Sequence, residues 1–348
     1  MTNYKIRVEP GAYEFTARDD QSVLDAALDA GILLPYSCRS GSCSSCRGKV
    51  ISGEFDAGKA PEVVLEPQDL EAGYTLFCQA HPRSDMVIES LQVRLATDIE
   101  VRKLPVRVTQ LAFPVSDVAV LTLQLPSADT FRYYPGQYID LLLKGGKRRS
   151  FSIANAPQDK IASLELHVRH MPGGLFTDHV FGAGETAMKE REILRFEGPL
   201  GSFFLREDSD KPIVLLASGT GFAPIKAIVE RLIALESQRP VVFYWGGRRP
   251  QDLYMDSLAR EWETTLPNFR YIPVVSNGLP EDNWEGRTGF VHQAVLDDHT
   301  DLSAYEVYAC GNPAMVESAR KTFSAQAQLP EEAFFMDAFT PADDANAG

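Results

Sequence analysis

Apolar and polar positions change rhythm twice along the 348-residue chain, and the changes mark out three blocks. In the first, residues 1 to about 95, Tyr4, Ile6 and Val8 alternate with polar neighbours, and Tyr13 to Thr16 repeats the alternation, which predicts two strands. The segment SVLDAALDAG then predicts a short amphipathic helix, with Ser22 as N-cap, Val23, Leu24, Ala27 and Leu28 on the apolar face, and Gly31 as the stop. Strands are expected again around Lys49 to Ile51 and near Met86 to Ile88, and VRLATDIEVRKLP, residues 93 to 105, reads as a linker. From about 104 to 208, short alternating runs (PVRVTQLAF, VAVLTLQL, QYIDLLL, RSFSIA, LELHVRH) lie between Pro and Gly turns. They predict an antiparallel barrel or sandwich, with one helix near FTDHVF. From about 209, continuous apolar strands alternate with helices: PIVLLA then APIKAIVERLIALE, VVFYWG then LYMDSLAREWE, RYIPVVS then FVHQAVL, YEVYAC then PAMVESARKTFSAQ. That rhythm predicts a parallel sheet covered on both faces, whose ligands sit beyond the strand carboxyl ends. The expected organisation is a multidomain α+β and α/β chain with domains at 1–95, 104–208 and 209–340, and a frayed polar tail in TPADDANAG.

Charge narrows the partners. A net charge of −14 weighs against nucleic acid, whose phosphates need a basic surface. The acidity serves solubility or offers a docking face to a basic protein. No apolar run reaches the roughly 20 residues of a membrane span, and the first residues carry no basic start with an apolar core. A cytoplasmic, monomeric protein without membrane or nucleic-acid partners is expected, and in that compartment cysteines serve more often as ligands or nucleophiles than in disulfides. The six histidines show no metal spacing, and no Ser-His-Asp signature stands out.

The cysteines carry the first chemistry. Cys38, Cys43, Cys46 and Cys78 are spaced C-x4-C-x2-C-x31-C, the ligand pattern of a plant-type [2Fe-2S] cluster. Two sulfide-bridged irons need four soft anionic donors, and a wrapping loop brings three together while a distant strand end supplies the fourth. Gly41 and the serines 40, 42, 44 and 45 are small enough for backbone amides to reach the sulfurs. A single zinc ion would favour paired C-x2-C arms, of which there is one, and disulfides suit a secreted chain better. Residues 33 to 53, LPYSCRSGSCSSCRGKVISGE, resemble the cluster loop of plant-type ferredoxins, including the basic residue at Arg39.

Two further motif sets follow in order. Arg149-Ser150-Phe151-Ser152 resembles the R-x-Y-S flavin signature of the ferredoxin reductase superfamily, with Phe151 in place of Tyr. An aromatic ring suits packing on isoalloxazine, a cation suits the pyrophosphate, and the Ser152 hydroxyl suits the ring's reactive nitrogen. Gly174-Leu175-Phe176-Thr177 resembles that superfamily's G-x-x-S/T turn, and YYPGQYIDL, with Pro135 and Gly136, its barrel turn. The resemblance implies that His167, Val168 and Arg169 line the flavin by backbone and cation, with Gly174 and Thr177 under its pyrophosphate. Gly219-Thr220-Gly221, continuing to Pro224, resembles the G-T-G-x-A-P nicotinamide motif. Cys310-Gly311 resembles the C-G-x-P turn that sets a cysteine beside the nicotinamide. In WGGRRPQDLY, at the adenosine end, Arg248 and Arg249 could meet a 2′-phosphate, whereas Asp252 would accept from a ribose hydroxyl, and related reductases with an acid here use NADH. Asp337 and Phe339 resemble the acidic and aromatic residues that cover the flavin, although Asp replaces Glu and nine residues follow Phe339.

From about residue 3 to 340 the chain thus resembles the reductase components of bacterial multicomponent oxygenases, of the benzoate or terephthalate dioxygenase type, and equally the reductase of a CDP-6-deoxyhexose dehydrase. The resemblance implies a β-grasp ferredoxin domain, an antiparallel β-barrel flavin domain and a Rossmann-like nicotinamide domain. It implies electron flow from NADH through FAD to a [2Fe-2S] cluster, and onward to a Rieske, di-iron or haem-thiolate oxygenase or to a dehydrase. Ser152, Thr220, Cys310, Asp337 and Phe339 are then the residues nearest the chemistry. A stand-alone flavin oxidase or diaphorase and a non-enzymatic cysteine-rich zinc- or iron-binding interaction module are the other readings.

Overall fold

The computed structural model describes residues 2–61, 64–95, 99–126, 131–158 and 162–340. The chain forms two compact units: Met1–Ile99 with Gly201–Phe203 and Asp337–Thr340, and the remainder. Among the described residues no helix is long and apolar enough to cross a membrane. The tail expected to fray lies outside the described residues from 341 onward.

In the first unit, β1 (Asn3–Glu9) and β2 (Tyr13–Arg18) form an antiparallel hairpin, and α1 (Val23–Asp29) follows. The sheet is completed by β3 (Arg47–Ser52), β4 (Tyr74–Leu76) and β5 (Met86–Glu89) in the order β2-β1-β5-β3-β4, with β1 and β5 parallel. Inward residues of β1, β2 and β5 (Ile6, Val8, Phe15, Ala17, Met86, Ile88) pack against Val23, Leu24, Ala26 and Ala27 of the helix. Ser22 caps α1 as expected, its hydroxyl accepting from Asp25 N at 3.1 Å. The linker reading needs correction. Arg94–Leu95 pairs with Ile32–Leu33, and residues 102 to 105 already belong to the next strand.

The second unit opens with an antiparallel sheet of β6 (Arg102–Val115), β7 (Val118–Gln124), β8 (Tyr138–Leu142), β9 (Arg148–Ser152), β10 (Ser163–Arg169) and β11 (Ile193–Leu200). Their order is β9-β8-β11-β6-β7-β10, and a bridge between Ile153 and Leu166 joins the two edges, closing a barrel. Helix α2 (Leu175–Phe181) follows β10. Strand β11 was not legible in REILRFEGPL, yet it lies between β6 and β8 and pairs with both.

The parallel sheet has the order β15-β14-β13-β12-β16-β17, built from β12 (Ile213–Ser218), β13 (Val241–Gly247), β14 (Phe269–Val275), β15 (Arg287–Thr288), β16 (Glu306–Gly311) and β17 (Phe334–Ala338). Strands β12 to β16 pair in parallel. Helices α3 (Phe222–Ala234), α4 (Asp256–Thr265), α5 (Val291–Asp298) and α6 (Pro313–Ala327) fall between the strands. Phe222 is fully buried at the centre of the aromatic core, stacked on Trp245 at 4.2 Å and Trp262 at 5.5 Å.

Candidate functional site

Between α1 and β3 the chain turns back on itself, with positive φ at Arg39, Gly41 and Ser44. At Gly41, φ is +81° and an added Cβ would lie 3.0 Å from Gln79 Cγ and 3.2 Å from the Lys59 carbonyl, so glycine fits here best. This curl aims amides inward: Ser40 N and Ser42 N donate to Cys38 Sγ at 3.4 and 3.3 Å, and Cys38 N donates to Cys43 Sγ at 3.4 Å. Cys78 is fixed from the other side. The first free amides of α1, Val23 N and Leu24 N, donate to the Ala80 and Phe77 carbonyls at 2.9 Å each, and Phe77 N donates to Cys46 O at 3.0 Å. Arg39, the basic residue of the loop, pairs with Asp25 at 2.7 Å.

Cys43, Cys46 and Cys78 are buried and Cys38 is half-buried, and none of the four is in a disulfide. They meet as two pairs. The hydrogen bond from Cys43 holds Cys38 well below the ordinary thiol range, helped by the serine amides, while the same bond and burial push Cys43 up. Cys78 is lowered by its bond with Cys46, and Cys46 is raised by that bond and by burial. Among the described residues no three His, Cys, Asp or Glu side chains surround one ion position. Two thiol pairs inside a shell of amide donors fit two irons with two thiolates each, and the group would supply one-electron transfer.

In the second unit, Phe151 packs at 5.3 Å on Phe176, the aromatic residue of the Gly174–Thr177 turn, so the two flavin motifs are brought together. Thr177 Oγ1 donates to Met171 O at 2.8 Å and accepts from Met171 N at 3.2 Å, closing the turn. An added Cβ on Gly174 would stand 2.6 Å from that hydroxyl. Ser152 is buried, Ser150 donates to Asp140 at 2.6 Å, and Arg149 donates to the Arg148 carbonyl at 2.6 Å. Val168 is buried in β10, and the His167 imidazole is fully buried between Glu165 and Tyr254 at 2.8 Å each. Arg169 is different: Nη1 lies 3.4 Å from Asp117, but Nε and Nη2 are buried without a protein partner. Its guanidinium carbon is 3.9 Å from the position a Cβ on Gly219 would take. Buried unpaired donors beside a glycine turn fit a phosphate group of a dinucleotide.

The nicotinamide motifs also converge. Gly219–Gly221 forms a single 3₁₀ turn between β12 and α3, with Pro224 buried in the first turn of the helix. Cys310 Sγ donates to Gly221 O at 2.8 Å, and a Cβ on Gly221 would fall 2.4 Å from the Cys310 carbonyl. Gly311, at φ +118°, leaves the same 2.4 Å to Ser218 O. After β13, Asp252 Oδ2 accepts from Arg248 N at 2.8 Å and Arg249 N at 3.0 Å, closing the turn. A cavity of about 410 Å³ opens there, lined by Ser116, Asp117, Arg248, Arg249, Gln251, Asp252 and Asn277. Ser116, Asp117 and Asn277 had no sequence signal, since they arrive from turns elsewhere in the chain. Asp337 and Phe339 fall with the first unit, where the buried Asp337 carboxylate accepts a short hydrogen bond from Ser37, next to Cys38.

Three family models match in succession: the 2Fe-2S iron-sulfur cluster binding domain over residues 6–83, the oxidoreductase FAD-binding domain over 105–205 and the oxidoreductase NAD-binding domain over 215–321. The chain is 43% identical over 336 residues to a CDP-6-deoxy-L-threo-D-glycero-4-hexulose-3-dehydrase reductase of Yersinia pseudotuberculosis, covering 97% of this chain and 98% of that one. It is 35% identical over 340 residues to reductase component 1 of a terephthalate 1,2-dioxygenase of Comamonas, covering 97% of each. The crystal structure of the Amycolatopsis cytochrome P450 reductase GcoB superposes with a TM-score of 0.74 at 33% identity, over 97% of this chain and 99% of that one. The expected fold class is borne out, and with these domains the chain passes electrons from NADH through FAD to a [2Fe-2S] cluster. The protein belongs to the family of NADH-dependent iron-sulfur flavoprotein reductases that join ferredoxin-type, FAD-binding and NAD-binding domains in one polypeptide.

Proposed function

We propose that this reductase splits the two electrons of a hydride into single electrons for a separate acceptor protein, and that the acceptor is the terminal component of an oxygenase. The observation that carries the reading is the presence in one chain of a glycine turn, Gly219–Gly221 against Cys310, and of two thiol pairs that the cysteine loop makes with itself and with Cys78. Hydride donors release two electrons at once, whereas a plant-type cluster, at roughly −400 mV, takes one.

In this reading Cys38, Cys43, Cys46 and Cys78 hold the cluster, and the amides of Ser40 and Ser42 stabilise charge on Cys38. Arg149, Ser150, Phe151, Ser152, Gly174 and Thr177 hold the flavin, with Phe151 packing on the ring where Tyr is usual. Val168 and the backbone of His167 line it, and Arg169 pairs with a phosphate beside Gly219. Thr220, Cys310 and Gly311 receive the nicotinamide, while Arg248 and Asp252 receive the adenosine end. Asp337 and Phe339 would cover the flavin by the family's pattern. The working boundaries remain 1–95, 104–208 and 209–340. A CDP-sugar dehydrase as acceptor is the second reading, favoured by the 43% identity to such a reductase.

The test is Cys78→Ala. NADH-driven reduction of a two-electron dye should stay within about twofold of wild type, while reduction of cytochrome c, a one-electron acceptor, should fall by at least about tenfold. Parallel loss of both activities in a protein that retains FAD would refute a cluster at the end of the path. Reconstitution with a terephthalate-type oxygenase and with a CDP-sugar dehydrase, each in turn, separates the two acceptors.

A further inference from the structure

We infer that Asp282 sets the preference for NADH over NADPH by holding Arg249 away from the adenosine ribose. The inference rests on reading the Arg248–Asp252 turn as the adenosine end of the nucleotide site. That turn follows β13, the second strand of the parallel sheet, at the carboxyl edge where such sheets bind nucleotides.

A 2′-phosphate is recognised by guanidinium groups in bidentate geometry, and two arginines stand at this turn. Arg249 is already engaged. Its Nε and Nη2 lie 2.6 and 2.5 Å from the two carboxylate oxygens of Asp282, fork against fork, and Glu281 is a third contact at 3.7 Å. The Asp282 side chain is only 13% exposed, and Arg249 27%. Asp282 is anchored independently of the arginine, because Leu279 N donates to its Oδ2 at 2.9 Å within the turn Pro280–Asp282. The carboxylate therefore keeps its place, and the arginine comes to it.

Charge around the cavity points the same way. Arg248 and Arg249 on its wall are matched by Asp117 and Asp252, and Asp282 behind Arg249 adds a further carboxylate. A ribose 2′-hydroxyl is neutral and loses nothing in such a setting. A 2′-phosphate enters against the carboxylates and finds one of the two guanidinium forks occupied.

Asp282→Asn keeps an oxygen for Leu279 N but cannot form the ionic fork. Its ratio of kcat/KM for NADPH to kcat/KM for NADH should rise about tenfold or more, the discrimination expected of a charge-assisted hydrogen bond. By calorimetry the affinity for 2′-AMP relative to 5′-AMP should rise in step, a readout that needs no turnover. Asp282→Glu should keep the wild-type ratio, and Arg249→Ala with Asp282→Asn should lose the gain. Asp282→Ala serves where the amide of Asn still grips the arginine. An unchanged ratio in both the Asn and Ala variants overturns the inference, and so does an equal gain without Arg249, which would make the effect bulk charge alone. A wild type that turns over NADH while the variants stay unchanged overturns the role of Asp282 only. A wild type that binds neither 5′-AMP nor NADH removes the reading of the turn and the inference with it.

Discussion

Lys226 on α3 sits in a buried charge network of the second unit that a single substitution breaks. Its ammonium, on a side chain 8% exposed, lies 2.6 Å from Glu230, 3.0 Å from Glu165 and 3.3 Å from the Ala154 carbonyl. Glu165 also accepts from His167 Nε2 at 2.8 Å, which leaves Nδ1 to accept from Tyr254 at 2.8 Å, a neutral imidazole in keeping with the downward push of burial on His167. Burial pushes the Glu165 carboxyl up, yet the His167 bond and the Lys226 charge outweigh it and hold the group at about 2 against an ordinary 4.5. A gap of that size corresponds to about 3 kcal/mol. The pKa is depressed on folding, so this stability is present above pH 4.5 and is lost as pH falls towards 2. Lys226→Met keeps the packed stem and removes the charge. It should cost about 1 to 3 kcal/mol at pH 7, less than the full gap because His167 still donates to Glu165 and because Glu165 and Glu230 stay 25% and 32% exposed. The assay is urea unfolding with saturating FAD, followed by tryptophan fluorescence. Trp245, Trp262 and Trp284, the only three in the chain, all lie in the second unit. The difference from wild type should shrink between pH 4.5 and 2 as wild-type Glu165 gains its proton. A loss under about 0.5 kcal/mol, or a difference that does not change in acid, would show that the charge network contributes nothing net.

Two other expectations follow from the same structure. Gly311→Ala places a Cβ 2.4 Å from Ser218 O at φ +118°, whereas Gly173→Ala at φ +84° meets nothing within 4 Å. The first should therefore lower Tm clearly more than the second, which carries only backbone strain of about 1 kcal/mol; equal shifts would refute the close approach of Ser218 and Gly311. With a net charge of −14, electron delivery to a basic acceptor should slow several-fold as salt rises from about 0.05 to 0.5 M. A flat profile in stopped-flow reduction of cytochrome c would mean that docking does not use the acidic surface.

Local chemistry was legible from sequence, and long-range pairing was not. Ser22 could be read as a cap because its partner, Asp25 N, is three residues away. The cysteine loop could be read because a cluster dictates spacing as well as residue type. Strand β11 escaped because its signature is tertiary. Gly198 is small where its Cβ would lie 2.7 Å from Ile139, and the strand pairs with β6 and β8, both far earlier in the chain. The linker reading of residues 102 to 105 failed for the same reason, since Arg102 to Pro105 pair with Arg195 to Gly198. The motifs name the arginines of this site, but what each can do depends on a distant carboxylate. Arg249 is engaged by Asp282, 33 residues on, while Arg169, close to Gly219, keeps two buried donors unpaired. Two cations that the motifs single out are thus unequal in the fold: under the proposed reading Arg169 is poised for a phosphate, and Arg249 must first be released.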